Sequence, residues 1–368
     1  MRALAIMTLS VWPLMWHSCV IGFAHARAHP DGITPLSACQ KKNLIIDTDL
    51  FSDVDDAAAL MLAATSPSVN LLAVNINYPS SYSALAASAI LAYYGLPDVP
   101  VGIRRPLTDN TFFDSWGFEL GEYASKVAYH WTGGTLSWGH AEDAWDPVKL
   151  YRKILSEAND QSVTIASIGF FENLSGLLNS TADEFSPLEG SGLISAKVSE
   201  LVVMGGAYPS GYEYNFWGDN SSLAAHVINN WAGRVVYSGD ELGANVISGA
   251  RFMAEAPSND PIRSAYVYYT YNTSRPSWDP LTVMYAMDGL GELFEYGNSM
   301  GYNYVAANGS NSWVYDEDVT NQHWLWLKVP NDVAASEIDS RLLEGARQRA
   351  SSPLYSDHSF IKQEPFFT

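Results

Sequence analysis

The amino-acid sequence predicts an α/β protein in which a mainly parallel sheet is covered by helices on both faces. Short strand-like runs alternate with helix-like runs along most of the chain, which is the order of β-α-β units. The strand-like runs are continuously apolar, as expected of parallel strands that are buried on both sides. Because no internal repeat or long linker interrupts this order, the 368 residues predict a single large domain.

The predicted elements follow one another closely. The predicted strands are 43–46, 71–76, 99–102, 163–168, 201–204 and 234–237. The predicted helices are 57–64, 83–94, 148–158, 172–178, 223–231, 281–287 and 338–347. The segment 109–145 breaks the rhythm, because it is rich in Trp, Tyr, Gly and acidic residues, and it is interpreted as an insertion near the site or a cover over the sheet edge. The domain is expected to span 40–350, with a tail at 351–368.

The charge balance excludes two classes of partner. Asp and Glu number 40 against 20 Lys and Arg, which gives a formal net charge of -20. Such an acidic chain is repelled by the phosphates of nucleic acids and by anionic membrane surfaces. We therefore expect neither of them to be a partner.

The first residues are typical of a secretory signal peptide. Arg2 precedes a largely apolar stretch, 3–20, and Ala24, Ala26 and Ala28 follow at A-x-A spacing. The prediction is a signal peptide over 1–28, cleaved after Ala26 or Ala28, and a secreted protein with no membrane partner after cleavage. The alternative is a membrane anchor, although the apolar stretch is close to the lower length limit for spanning.

Cysteines and glycosylation motifs fit the secretory interpretation. Of the two cysteines, only Cys39 would remain in the mature chain, which excludes an internal disulfide and a cysteine-based zinc site. Five N-glycosylation motifs begin at Asn173, Asn179, Asn220, Asn272 and Asn308. Asn173 is expected to be a buried structural residue at the start of a helix, and the others are candidates for glycosylation.

The densest chemical signal is the acidic loop between the first predicted strand and the first predicted helix. Five carboxylates lie within residues 47–56, and apolar segments flank them on both sides. This order places them at the carboxyl end of a strand, where α/β proteins usually bind ligands. Because so many like charges repel one another, the loop predicts a hard divalent cation with oxygen ligands.

Four groups of residues carry a resemblance to a known family. They are Asp47-Thr48-Asp49 with Asp53-Val54-Asp55-Asp56, the stretch 167–174, Met204-Gly205-Gly206-Ala207-Tyr208 with Glu213-Tyr214-Asn215, and Trp278-Asp279-Pro280. Their order resembles that of the nucleoside hydrolases, the inosine–uridine-preferring N-ribohydrolase family, over roughly residues 44–347. The resemblance implies a Rossmann-like, mainly parallel central sheet, a ribonucleoside substrate, a calcium ion, and a homo-oligomer, dimeric or tetrameric.

The resemblance also implies a metal site. Asp49, Asp56 and Asp279 would ligate calcium through their carboxylates. Ile168 would add its backbone carbonyl, at a position where the family usually has Thr. Asp47 would support the loop from behind the ligands.

A ribose site follows from the same resemblance. Asp55 would bind the 2′-hydroxyl of ribose, Asn215 the 3′-hydroxyl and Glu213 the 5′-hydroxyl. Trp278 would stack on the base. Calcium would acidify a bound water, Asp49 would take its proton, and the water would attack C1′ with inversion.

Two departures from the family pattern concern the details of the site. The acidic loop is two residues longer than the family's shorter form, and Asp53 in this extra length has no role by resemblance. Trp278 stands where the best-studied members have a His that protonates the leaving purine. The leaving-group acid is therefore unassigned; the segment 109–145 offers His130, His140 and Asp143.

Two rival functions compete with hydrolysis. Asp47-Thr48-Asp49 after an apolar strand also resembles a haloacid-dehalogenase-type phosphatase, but the Lys and acidic pair which that family needs are not evident. The second rival is a secreted, non-catalytic member of the same fold that binds ribosides or sugars.

Overall fold

A computed structural model of the protein describes residues 41–51, 53–111 and 121–351. The predicted signal peptide, Cys39 and the predicted tail beyond residue 351 lie outside the described residues. The strands are β1 (Lys42–Thr48), β2 (Val69–Ile76), β3 (Val101–Ile103), β4 (Val163–Ile168), β5 (Val198–Met204), β6 (Ser210–Tyr212), β7 (Val235–Ser238), β8 (Ile247–Ser248), β9 (Arg275–Pro276), β10 (Phe294–Tyr296), β11 (Tyr302–Val305), β12 (Ser310–Val314) and β13 (Gln322–Leu327).

Helices connect most of these strands. They are α1 (Asp55–Thr65), α2 (Ser81–Tyr93), α3 (Ala124–His130), α4 (Pro147–Glu157), α5 (Glu172–Leu178), α6 (Gly190–Lys197), α7 (Tyr214–Trp217), α8 (Ser221–Asn230), α9 (Asp240–Gly243), α10 (Ala250–Glu255), α11 (Pro261–Thr270), α12 (Trp278–Asp288) and α13 (Asn331–Ser351), with a 3₁₀ turn at Ala141–Asp143. Within the described ranges, no helix has the length and apolar character that crossing a membrane requires.

Eight strands form the central sheet, in the order β10-β13-β7-β5-β4-β1-β2-β3. Neighbouring strands are parallel, except that β10 is antiparallel to β13. From β1 the chain builds β2 and β3 on one side, and then crosses back to start β4 on the other side. The carboxyl ends of β1 and β4 therefore flank a topological switch point, where open α/β sheets bind ligands.

Alternate residues of each central strand enter two hydrophobic layers. Leu44 and Ile46 of β1 pack in the layer that contains α1, α2, α12 and α13. Ile45 packs in the opposite layer, with residues of α4, α5 and α8. Burial on both faces explains why the strand sequences are continuously apolar. The predicted fold class, a mainly parallel sheet flanked by helices, is confirmed.

Parts of the architecture differ from the sequence-based expectation. The last helix starts at Asn331 instead of 338, and α12 starts at Trp278 instead of 281, so that Asp279 lies inside its first turn. A second, antiparallel sheet of order β11-β12-β6 was not predicted, because its strands are short and carry alternating polar residues. Trp145, at the end of the irregular segment, exchanges backbone hydrogen bonds with Val101 and Ile103, and so covers the β3 edge.

Two Asp-Pro pairs begin helices and allow a matched test of burial. Asp260 caps α11, is fully buried, and also accepts a hydrogen bond of 2.7 Å from the Tyr94 hydroxyl. Asp146 caps α4 at an exposed position.

Asp260→Ala should therefore destabilise the protein by about 2–3 kcal/mol, because it removes a cap and leaves a buried hydroxyl without its acceptor. Asp146→Ala should cost about 1 kcal/mol, which is the loss of a cap alone. The free energy of unfolding in urea measures both. Equal losses in the two variants would contradict the assigned role of the Tyr94 contact.

Candidate active site

The switch point brings the acidic loop against the end of β4. Thr48, the last residue of β1, is paired with Ile168, the last residue of β4. The next residues, Asp49 and Gly169, are therefore neighbours. A Cβ atom at Gly169 would come within 2.7 Å of Asp49 Oδ1 and 2.9 Å of Asn77 Oδ1, so only glycine allows this approach. The backbone of Ile168 thus ends beside the carboxylate of Asp49.

Three carboxylates from two helix starts meet at this point. Asp55 and Asp56 lie in the first turn of α1, and Asp279 lies in the first turn of α12. Each offers one oxygen, and these oxygens all lie within 4.8 Å of one another. All three side chains are buried. The cluster includes Asp55, which the family resemblance assigned to ribose, together with two of the predicted metal ligands.

Hydrogen bonds fix the orientation of two of these carboxylates. The Thr48 hydroxyl donates to Asp56 Oδ1 and accepts from the N–H of Leu50 at 2.9 Å. Asp55 Oδ2 accepts the backbone N–H groups of Trp278 at 3.0 Å and of Asp279 at 3.2 Å. Asp55 therefore joins the start of α1 to the start of α12, where the partial positive charge of a helix N-terminus favours carboxylates.

Burial and mutual repulsion disfavour charge in this cluster. Burial, followed by the charge of Asp53, raises the pKa of Asp55. Burial and then Asp49 raise the pKa of Asp56. For Asp279 the causes of the raised pKa are burial and then Asp55, with Asp56 and Asp49 adding to it. Asp49 is thus close enough to act on two members of the cluster, and the group needs a counter-charge if it is to be ionised.

The donor set fits a hard divalent cation. Buried carboxylate oxygens are the ligands that Ca²⁺ and Mg²⁺ prefer, and the described residues supply no Cys or His in the cluster. Asp49 and the Ile168 carbonyl border the cluster and could complete a coordination shell.

Asp47 is the centre of a buried hydrogen-bond network behind the cluster. Its Oδ1 accepts from the side-chain amides of Asn77 at 2.7 Å and Asn173 at 3.3 Å, and its Oδ2 accepts from the Tyr151 hydroxyl at 2.7 Å. Burial raises the pKa of Asp47 to about 7, and these donors act against the rise. The network joins β1, the end of β2, α4 and α5. Asn173 is buried, as predicted.

Glu213 and Asn215 follow β6 and contact the turn after β5. Glu213 is buried, and its two oxygens accept the N–H groups of Asn215 at 2.7 Å and Gly206 at 2.9 Å. Burial raises the pKa of Glu213 to about 8. The Asn215 side-chain amide donates to the Met204 carbonyl at 3.2 Å. Both residues therefore shape the turn after β5 at the same edge of the sheet.

Trp278 is held in place on several sides. Its indole N–H donates to the Asp240 carbonyl at 2.8 Å, and its backbone N–H donates to Asp55. A Cβ atom at Gly243 would lie 2.6 Å from Trp278 Cγ, so the indole packs directly on the backbone of α9. The guanidinium of Arg275 lies 5.6 Å from the indole ring.

The extra length of the acidic loop is anchored by an ion pair. Arg275 Nε donates to Asp53 Oδ2 at 2.9 Å, and its Nη2 also contacts that oxygen. The Tyr123 hydroxyl donates to the Asp53 carbonyl at 2.6 Å. Asp53, which had no predicted role, thus binds the loop to the segment that leads into Trp278.

Arg104, Glu172 and Asp219 form a second charged cluster, the Arg104 cluster, next to the backbone of Asn77. Arg104 Nη1 lies 2.6 Å from Asp219 Oδ2 and 3.3 Å from Glu172 Oε1. Burial, and then the neighbouring Asp219 carboxyl, raise the pKa of Glu172 to about 8. The neighbouring Glu172 and Arg104 side chains lower the pKa of Asp219. These shifts favour a proton on Glu172 and a negative charge on Asp219, which faces Arg104.

Sequence reasoning missed Asn77, Tyr151, Arg275 and the Arg104 cluster. Asn77 follows a predicted strand directly, and this position was an available signal, because the carboxyl ends of neighbouring parallel strands share one edge. Tyr151 is in the middle of a helix and had no such signal. Among the acids considered for the leaving group, His140 is exposed and pairs with Glu142, and Asp143 is exposed. The ring of His130 lies against Tyr268.

Comparison with known proteins places this site in a family. Residues 44–340 match the sequence profile described as "Inosine-uridine preferring nucleoside hydrolase". Because the match spans most of the chain, the protein belongs to this family and is a hydrolase acting on N-glycosyl compounds. No curated protein was found to match the chain in sequence.

Solved structures agree with this fold. A plant nucleoside hydrolase, PpNRh1, superimposes with a TM-score of 0.60 at 20% identity, covering 82% of this chain and 99% of its own. A purine-preferring ribonucleoside hydrolase from Gardnerella vaginalis gives 0.60 at 17% identity, covering 83% and 100%. An inosine-uridine preferring nucleoside hydrolase from Bacillus anthracis gives 0.56 at 16% identity, covering 83% and 99%. At such identities these likenesses establish the fold, which is the nucleoside hydrolase fold.

The raised pKa of Glu172 makes the stability of the protein depend on pH. A carboxyl whose pKa is raised to about 8 on folding contributes stability at low pH, and this contribution is lost as the pH rises through that value. The free energy of unfolding of the wild type should therefore decrease between about pH 5 and pH 8. In Glu172→Gln, which imitates the protonated form, this decrease should be smaller by at least about 1 kcal/mol. Urea unfolding across this range measures it. Glu157→Gln, at an exposed position, is the control, and an unchanged profile for Glu172→Gln would contradict the raised pKa of Glu172.

Proposed function

We propose that the protein catalyses the calcium-dependent hydrolysis of the N-glycosidic bond of ribonucleosides, releasing ribose and a free base. The observation that supports this most directly is the buried carboxylate cluster of Asp55, Asp56 and Asp279 at the switch point of a nucleoside hydrolase fold. The sequence match over 44–340 shows the family.

Asp49, Asp56 and Asp279 would hold the cation through their carboxylates, and Ile168 would add its backbone carbonyl. When bound, the ion would acidify a water molecule and attract the ribose hydroxyls. Asp47 would keep the loop in shape through its hydrogen bonds to Asn77, Asn173 and Tyr151.

The side chains then have separate tasks on the sugar. Asp49 takes the proton of the attacking water, which adds to C1′ on the face opposite the base. Asp55 binds the 2′-hydroxyl, Asn215 the 3′-hydroxyl, and Glu213 the 5′-hydroxyl. The surrounding carboxylates stabilise the positive charge that develops on the sugar ring as the bond to the base breaks. Trp278 stacks on the base.

Neither rival function gains support. The match to the family favours the hydrolase over the phosphatase, and nothing in the comparisons supports a non-catalytic riboside binder. The preferred nucleobase is a question for experiment. One relative is described as purine-preferring and another as inosine-uridine preferring, so both purine and pyrimidine nucleosides belong in the assay.

The purified protein, incubated with inosine and with uridine, should release ribose, and a calcium chelator should stop the release until calcium is added back. Asp49→Ala should lower the rate by about 10³-fold or more without loss of fold, because it removes the proposed base. Reducing-sugar assays measure ribose, and circular dichroism checks the fold.

Asp98→Ala is the matched control, because Asp98 is an exposed carboxylate that precedes β3 at the opposite edge of the sheet. Absence of ribose release from either nucleoside would end the proposal. Retention of the wild-type rate in Asp49→Ala would leave the hydrolase intact but remove Asp49 from its role as base.

We also propose that the protein is secreted, N-glycosylated and homo-oligomeric, as a dimer or tetramer. The residues 1–28 support secretion by their pattern, and Asn179, Asn220, Asn272 and Asn308 are exposed. The oligomer is supported by resemblance to the family alone. Purine or pyrimidine scavenging outside the cell would follow from this location.

Expression of the full chain in a eukaryotic cell line should yield a protein in the medium that begins after Ala26 or Ala28. Deglycosylation should lower its mass, and peptide mapping should find glycan on exposed motifs and none on the buried Asn173. Light scattering on the same sample measures the oligomer. Retention in the cell with residues 1–28 intact would contradict secretion.

A further inference from the structure

An aromatic pair stands beside the acidic cluster. Tyr78 follows Asn77 at the carboxyl end of β2, and its ring stacks on that of Phe51, with centroids 4.4 Å apart and planes 15° apart. Phe51 is buried and lies two residues after Asp49. Tyr78 is only partly buried. Its ring therefore packs on the acidic loop, while part of the side chain faces solvent.

Charges of both signs act on the Tyr78 hydroxyl. Burial raises its pKa first, the carboxylates of Asp219 and Asp49 raise it further, and Arg104 opposes the rise. The hydroxyl is thus within electrostatic reach of Asp49 on one side and of the Arg104 cluster on the other. It stays protonated at neutral pH and is available as a hydrogen-bond donor.

A departing base needs such a donor in this site. When the bond from C1′ to nitrogen breaks, its electron pair moves to the base, and the neighbouring carboxylates repel the negative charge that develops there. Ribose would be held on the carboxylate cluster, and the Tyr78 hydroxyl lies within electrostatic reach of Asp49 in the acidic loop.

Other donors around the cluster are engaged. The indole N–H of Trp278 donates to the Asp240 carbonyl, and Arg275 is paired with Asp53. Glu172 is enclosed by Arg104 and Asp219. The described histidines have contacts elsewhere: His130 with Tyr268, His140 with Glu142, His226 with Ser175 and His323 with Tyr296.

We propose that the hydroxyl of Tyr78 contacts the departing base and donates a hydrogen bond to it, which makes Tyr78 the leaving-group residue of the reaction. This inference rests on the proposed function. The attacking water gives its hydroxyl group to C1′ and its proton to Asp49, and the bonding pair leaves with the base. Tyr78 stabilises that pair until the base takes a proton from water, and Asp49 returns its own proton to water.

The test compares leaving groups that differ in their need for a donor. Inosine and uridine release bases that need one, whereas 4-nitrophenyl β-D-ribofuranoside releases a phenolate that is stable without a proton. Tyr78→Phe keeps the ring on Phe51 and removes the donor. We expect kcat to fall about 100-fold on inosine and uridine, and to stay within about threefold of wild type on the nitrophenyl riboside.

Two further variants isolate the hydroxyl. Tyr78→His keeps a flat ring with an N–H donor. Its kcat on the nucleosides should be at least about tenfold higher than that of Tyr78→Phe. Tyr82→Phe, at a partly buried tyrosine of α2 that packs on the core, should behave as wild type on all three substrates. Thermal unfolding verifies that each variant is folded.

The outcomes separate this inference from the proposed function. A wild-type protein that releases ribose from none of the three substrates ends both. If the wild type is active and Tyr78→Phe is equally impaired on all three substrates, Tyr78 only shapes the site, and the inference is overturned while the hydrolase stands. Unchanged activity of Tyr78→Phe on inosine and uridine overturns it as well.

Discussion

Repulsion among buried carboxylates is the constraint on which the site depends. Asp49, Asp55, Asp56 and Asp279 are all buried at the same end of the sheet. Two unit charges about 5 Å apart repel each other by about 3 kcal/mol at an effective dielectric constant of 20. Several such pairs would equal the whole stability of a typical domain. The local structure opposes this cost through the N-termini of α1 and α12, the Thr48 hydroxyl and the amides that bind Asp55, and a hard cation would complete the balance.

Behind the cluster, the buried carboxylate of Asp47 ties the elements that carry the site to the central sheet. Its three donors come from the end of β2, from α4 and from α5, and so one carboxylate determines the mutual positions of four elements. Each of these elements is itself held by a buried apolar face. The proposed metal ligands are therefore supported by buried structure that repacking of surface loops does not disturb.

The sequence predicted the central sheet and the acidic loop because both depend on local patterns. Continuously apolar runs identify buried parallel strands, and carboxylates after the first of them identify the ligand edge. Asp279 was expected ahead of its helix, because the predicted apolar run begins at Leu281. The helix begins at Trp278 instead, since proline is tolerated in a first helical turn. The pair Asp53–Arg275 could not be predicted, because its members are 222 residues apart and no local pattern connects them.

That ion pair also has a consequence for the history of this protein. Asp53 belongs to the extra length of the loop, and Arg275 alone would place a cation beside the carboxylate cluster, where a metal should bind. Each residue is tolerable because the other is present. Loss of either one leaves the remaining charge without its partner, so a change at one position calls for a compensating change at the other. The longer loop, once acquired with its arginine, becomes difficult to shorten, and the two distant positions are expected to vary jointly among close homologues.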